Sequence, residues 1–72
     1  MADNHILIAD DEPLTRQSLY EILKFEGYRV TTVKDGYEAI ESVKKGNFDI
    51  IFVDVKMPGI DGVRTFEEIH KI

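Results

Sequence analysis

The sequence has no cysteine, so no disulfide can staple it, and it contains only two prolines. It also has no apolar run near the roughly 18 to 20 residues that a membrane-crossing helix requires. The first residues, Met1-Ala2-Asp3-Asn4-His5, lack the basic-then-apolar order of a signal peptide. A cytoplasmic chain without a membrane partner is therefore expected. Basic residues are in the minority: nine Lys plus Arg stand against fourteen Asp plus Glu, a formal charge of -5. That balance repels a phosphate backbone and argues against direct nucleic-acid binding. What is present is 43% apolar and 32% charged residues in a chain of 72, the composition of a small folded domain. A chain this short buries only about 60% of the surface its unfolded form exposes, so its stability is narrow.

The five glycines, Gly27, Gly36, Gly46, Gly59 and Gly62, fall where the hydrophobic pattern breaks. Ile6-Leu7-Ile8-Ala9 is too short for a helix and has the unbroken apolar character of a strand buried on both faces. Pro13 follows three acids and is placed as a first-turn proline, with negative charge at the favourable end of a helix dipole. Leu14, Ser18, Leu19, Ile22, Leu23 and Phe25 then share one broad helical face, and Gly27 is a suitable stop. Tyr28 to Val33 reads as an edge strand because polar residues interrupt it. Ala39, Ile40 and Val43 mark a second helix that ends at Gly46. Ile50-Ile51-Phe52-Val53 repeats the buried-strand pattern, and Val63, Phe66 and Ile69 begin a third helix with Phe66 and Ile69 in its core stripe. Strands alternating with helices predict an α/β chain with a parallel sheet and right-handed crossovers.

Ligands of such sheets collect beyond the carboxyl ends of the strands. Asp10 and Asp11 end the first strand, and Asp54 ends the third. If those strands are neighbours, three like charges converge, and a divalent cation with a preference for hard oxygen ligands relieves their repulsion. Mg²⁺ suits that role, and a carboxylate beside it can attack phosphorus. Asp54 stands alone and is the expected nucleophile, while the adjacent pair Asp10 and Asp11 is better placed to share the metal. The competing reading makes each acid a turn former or helix cap. A doublet after one strand and a single acid after another, followed by Pro58-Gly59, goes beyond capping. His5 is expected to be exposed ahead of the first strand, His70 to be solvated, and Tyr20, Tyr28 and Tyr37 to pack at element margins. Lys34, Lys44 and Lys45 are read as solvated charges.

Three segments, Ile6 to Glu12, Gly36 to Ala39, and Asp49 to Gly62, together resemble the receiver domain of two-component response regulators, the CheY-like family. The resemblance implies a flavodoxin-like parallel sheet and covers essentially the whole chain. It implies that Asp54 accepts a phosphoryl group from a phosphohistidine on a sensor histidine kinase or phosphotransfer protein. It further implies that Asp11 binds Mg²⁺ directly, Asp10 directly or through water, and Lys56 through its backbone carbonyl, with Asp54 completing the metal set. A receiver of this family has five βα units in strand order 2-1-3-4-5. Residues 1–72 supply about three, so they are expected to form an incomplete receiver domain of order 2-1-3.

The family's phosphate-binding lysine and hydroxyl residue belong to the later strands, so little phosphorylation of the 72-residue chain is expected. In this setting the third strand becomes an edge, and its apolar backbone is expected to pair with a second copy, making a homo-oligomer. A self-associating half-domain is thus the alternative to a signalling module. A haloacid-dehalogenase-like phosphatase is a weaker alternative, because the position two residues after the nucleophile holds Lys56 instead of an acid. No enzymatic activity is expected. A dinucleotide or P-loop site is weaker still, since acids instead of a glycine-rich loop follow the first strand.

Overall fold

The computed structural model describes residues 4–54, 59 and 62–71. Its elements are β1 (His5–Ala9), α1 (Pro13–Phe25), β2 (Arg29–Val33), α2 (Gly36–Lys45), β3 (Ile50–Val53) and α3 (Gly62–His70). The three strands form one parallel sheet in the order β2-β1-β3. This is the 2-1-3 arrangement expected from the sequence.

β1 takes the centre, although its apolar run Ile6-Leu7-Ile8-Ala9 is no longer than that of β3. Ile6, Leu7, Ile8 and Ala9 of β1 are all buried, because β1 alone has a neighbour on each side. Full burial of an isoleucine or leucine side chain contributes about 1.5 to 3 kcal/mol, so β1 is the main source of hydrophobic stabilisation. Alternate residues divide between the two faces. Leu7 and Ala9 join Val33 and Ala39 in the core, with Ile51, Val53 and Ile69 packed against them, so α2 and α3 cover that face. Ile8 and Phe52 share the opposite face with Thr15 and Leu19 of α1.

Local chemistry sets the helix limits. Pro13 occupies the first turn of α1, where its missing N–H costs nothing, and the Glu12 carboxylate accepts from the Leu14 N–H at 3.2 Å. At the other end Gly27 takes φ +99, a left-handed conformation that favours glycine. Tyr28 N–H then donates to Leu23 O and Gly27 N–H to Lys24 O, at 3.1 and 3.0 Å, closing the helix in a Schellman motif. On α2 the Asp35 carboxylate accepts from the Glu38 N–H at 2.8 Å, and the Glu38 carboxylate accepts from the Lys34 N–H at 3.0 Å. That reciprocal pair secures the turn at Lys34-Asp35-Gly36.

Two expectations change, and the expected edge position of β3 is observed. Phe66, read as core, is 60% exposed and stacks on His70 with ring centroids 5.8 Å apart. Thr65 and Gly62 occupy the inward stripe of α3 instead, because α2 lies close enough to admit only small side chains there. His5 belongs to β1 and is half-buried, with Nε2 2.7 Å from Thr31 Oγ1 and its ring against Phe48. Finally, β3 has the composition of a doubly buried strand, yet Ile50 and Phe52 are about half exposed because β3 is an edge.

Candidate functional site

The register of β1 against β3 brings the acids together. Ala9 pairs with Val53, and the next step of the ladder is the Asp54 N–H donating to Ala9 O at 2.9 Å. On the other side, the Asp10 N–H donates to Val33 O at 3.2 Å. Asp10 and Asp54 therefore leave adjacent strands at the same level and on the same face of the sheet. Asp11 follows on the loop that leads to α1. One carboxylate oxygen from each of Asp10, Asp11 and Asp54 can be chosen so that all lie within 4.8 Å of one another. This juxtaposition was conditional on strand order in the sequence; the observed topology supplies it.

The loop is held by its own side chains. Asp10 Oδ1 accepts from the Glu12 N–H at 2.9 Å, and Arg16 Nη1 donates to Asp10 O at 2.8 Å. Asp10 thus fixes the turn with one oxygen and leaves the other for a ligand. Asp10 and Asp54 are half-buried, whereas Asp11 is exposed. Asp10 and Asp54 border an open groove of about 410 Å³ between α1 and β3, lined also by Thr15, Leu19 and Phe52. Glu12, one of the acids read ahead of Pro13, is the α1 cap, and one residue missed by the sequence reading supports the site: Arg16 as the clamp on the loop. Nothing in the sequence separates Arg16 from an ordinary solvated arginine, since its role depends on the path of the loop.

The donor set fits Mg²⁺. Carboxylates are hard oxygen ligands, and the oxygens of an octahedron with ~2.1 Å bonds are about 3.0 Å apart at neighbouring vertices and about 4.2 Å apart at opposite ones. Small side-chain rotations bring oxygens within 4.8 Å to those spacings. Lys56, the other residue expected to contribute to the metal, lies outside the described residues. Elsewhere on the surface, ion pairs join Lys44 to Glu41 and both Arg64 and Lys71 to Glu68.

Residues 6–72 match the family model described as the response regulator receiver domain. The chain belongs to that family. Among curated proteins, it is 37% identical over 70 residues to the sensor histidine kinase RcsC of Escherichia coli K12, covering 97% of this chain and 7% of RcsC. Among solved structures, it is similar to the response regulator TrrA of Thermotoga maritima in complex with Mg²⁺ and BeF, with a TM-score of 0.90 and 43% identity. That likeness covers 94% of this chain and 59% of TrrA. TrrA in complex with the histidine kinase ThkA matches at a TM-score of 0.89 with the same identity and coverage. The chain therefore spans a small part of RcsC and about three-fifths of TrrA. A flavodoxin-like sheet and a two-component signalling family are established for this receiver segment.

Proposed function

We propose that this receiver segment is a phosphoacceptor module: Asp54 takes the phosphoryl group, and Asp10 and Asp11 hold Mg²⁺ beside it. The backbone carbonyl of Lys56 is assigned to the metal on family resemblance. The single observation that carries this reading is the convergence of carboxylate oxygens from Asp10, Asp11 and Asp54 within 4.8 Å at the carboxyl end of the sheet. Mg²⁺ bound there supplies positive charge against the phosphoryl oxygens. A carboxylate oxygen of Asp54 bonds to phosphorus as the P–N bond of the donor phosphohistidine breaks, and the leaving imidazole takes a proton from solvent. The complex of TrrA with ThkA supports a histidine kinase, or a phosphotransfer protein of like chemistry, as the donor. A cytoplasmic location follows from the same reading. Residues 1–72 act as part of a receiver domain, and as a signalling module instead of a phosphatase, because Lys56 stands where a phosphatase of this chemistry needs its second acid.

The test is incubation with Mg²⁺ and a small acyl phosphate, followed by peptide mass measurement. A small label is expected, because the family resemblance puts the phosphate-binding lysine on a strand later than β3. It maps to Asp54 and is lost in Asp54→Asn. Label on another residue, or equal label in Asp54→Asn, overturns the assignment.

A further inference from the structure

A side chain of α2 reaches the segment that joins Asp54 to α3. Gly59, which belongs to that segment, takes φ +81, a left-handed conformation that favours glycine. A Cβ placed on Gly59 would stand 3.2 Å from Cε2 and 4.0 Å from Cδ2 of Tyr37. The edge of the tyrosine ring therefore fills the space that a side chain at Gly59 would need. Among the described residues, only Tyr37 comes within 4 Å of that position. The rest of the ring faces solvent, at 61% exposure, so it adds little hydrophobic stabilisation to the helix that carries it. Its contact is a matter of placement.

Both partners of this contact are anchored at the end of the sheet where the acids lie. Tyr37 is in the first turn of α2, between the buried Gly36 and Glu38, whose carboxylate and N–H close the reciprocal cap with Lys34 and Asp35. Val33 O, just ahead of that turn, accepts from the Asp10 N–H at 3.2 Å. The other chain is held at its two ends: Asp54 N–H donates to Ala9 O at 2.9 Å, and Gly62 is buried where α3 begins and packs on α2.

We propose that Tyr37 is a positioning residue for the Mg²⁺ site: its ring edge holds Gly59 and thereby restricts the chain that leads from Asp54 through Lys56. This rests on the phosphoacceptor reading, which assigns the Lys56 carbonyl to the metal. Lys56 is two residues after Asp54 and three before Gly59. Three residues span at most about 11 Å, so a restraint at Gly59 limits where that carbonyl can stand. Mg²⁺ demands near-ideal octahedral geometry and gains least from a ligand that wanders. A restraint applied before the ion arrives lowers the ordering that binding must supply. Tyr37 thus acts on metal affinity without touching the metal, and it acts through ring carbons, so its hydroxyl is dispensable.

Mg²⁺ titrations followed by backbone amide resonances test the proposal on the 72-residue chain and its variants. Tyr37→Ala, which keeps a good helix former at an exposed position, is expected to weaken Mg²⁺ binding about fivefold. Tyr37→Phe retains both contacting carbons and should bind as the native chain does. Gly59→Ala drives a methyl against the ring and should weaken binding in the same direction. In the native chain and in Tyr37→Phe, the Gly59 amide should shift with the midpoint of the Asp11 amide. A merely structural role for the ring would lower the metal-free urea midpoint and leave the affinity of the folded chain alone. Native affinity in Tyr37→Ala, an equal loss in Tyr37→Phe, or a Gly59 amide that ignores Mg²⁺ overturns the proposal. Asp11→Ala separates the two levels. If it abolishes a Mg²⁺ response that Tyr37→Ala leaves intact, this inference alone fails; if it binds Mg²⁺ like the native chain, the phosphoacceptor reading fails and this inference with it.

Discussion

Asp10 and Asp11 are chemically alike and adjacent, yet the fold uses them differently. Asp10 accepts the Glu12 N–H and receives the Arg16 clamp on its carbonyl, whereas Asp11 is exposed and has no such bond among those described. Asp10→Ala should therefore cost about 1 kcal/mol of stability without metal, the usual loss for such a side-chain to backbone bond. Asp11→Ala should leave metal-free stability unchanged or slightly higher, since it removes a like charge. Both should weaken Mg²⁺ binding at least tenfold. Urea unfolding with and without Mg²⁺ separates the two roles, and equal metal-free loss in both variants contradicts the division. The three acids themselves were legible in the sequence because each closes an apolar run. Arg16 was not, because its partner is a backbone carbonyl whose position only the folded loop defines.

Among the elements, α3 shows where periodicity misleads. Val63, Phe66 and Ile69 have helical spacing and read as one apolar stripe, but α2 packs so closely that Gly62 and Thr65 face inward and Phe66 faces out. Pattern reports that a face is apolar without saying how near its neighbour lies. Thr65 Oγ1 is buried and has no hydrogen-bond partner among the described residues. Thr65→Val keeps the shape and removes that unsatisfied group, so stability should rise by up to about 1 kcal/mol. A loss of more than that amount in thermal unfolding would show a hydroxyl contact that the structure does not contain.

The outer side of α3 carries a second testable feature. A hydrogen bond from Arg64, then a hydrogen bond and the charge of Lys71, hold the Glu68 carboxyl below its ordinary range. A lowered folded-state value adds stability above the unfolded pKa and loses it as pH falls through the folded value. The contribution is small because the side chains are largely solvated. The difference in urea midpoint between the native chain and Glu68→Gln should thus be present near pH 7 and shrink as pH falls through the folded-state value. A difference that persists at low pH contradicts the ion-pair explanation.

For the molecule as a whole, the alternation of strands and helices was readable from glycines and apolar runs, and the end-of-strand acids pointed to the site. The strand order came from family resemblance, because periodicity alone does not say which strand takes the centre. β1 takes it here, and that choice determines the chemistry: with β3 at its side, Asp54 lies one ladder step from the level of Ala9 and faces Asp10. With β2 between β1 and β3, a whole strand would separate Asp10 from Asp54 and the two acids would not converge. The central claim is therefore that acids from two strands make one cation site. A Mg²⁺ titration followed by backbone amide resonances tests it most directly. The account predicts that the amides of Asp10, Asp11 and Asp54 shift with a single common midpoint, and that Asp54→Asn weakens the response at Asp10 and Asp11 as well. Separate midpoints for the two strands, or an unchanged response at Asp10 and Asp11 in Asp54→Asn, would contradict it.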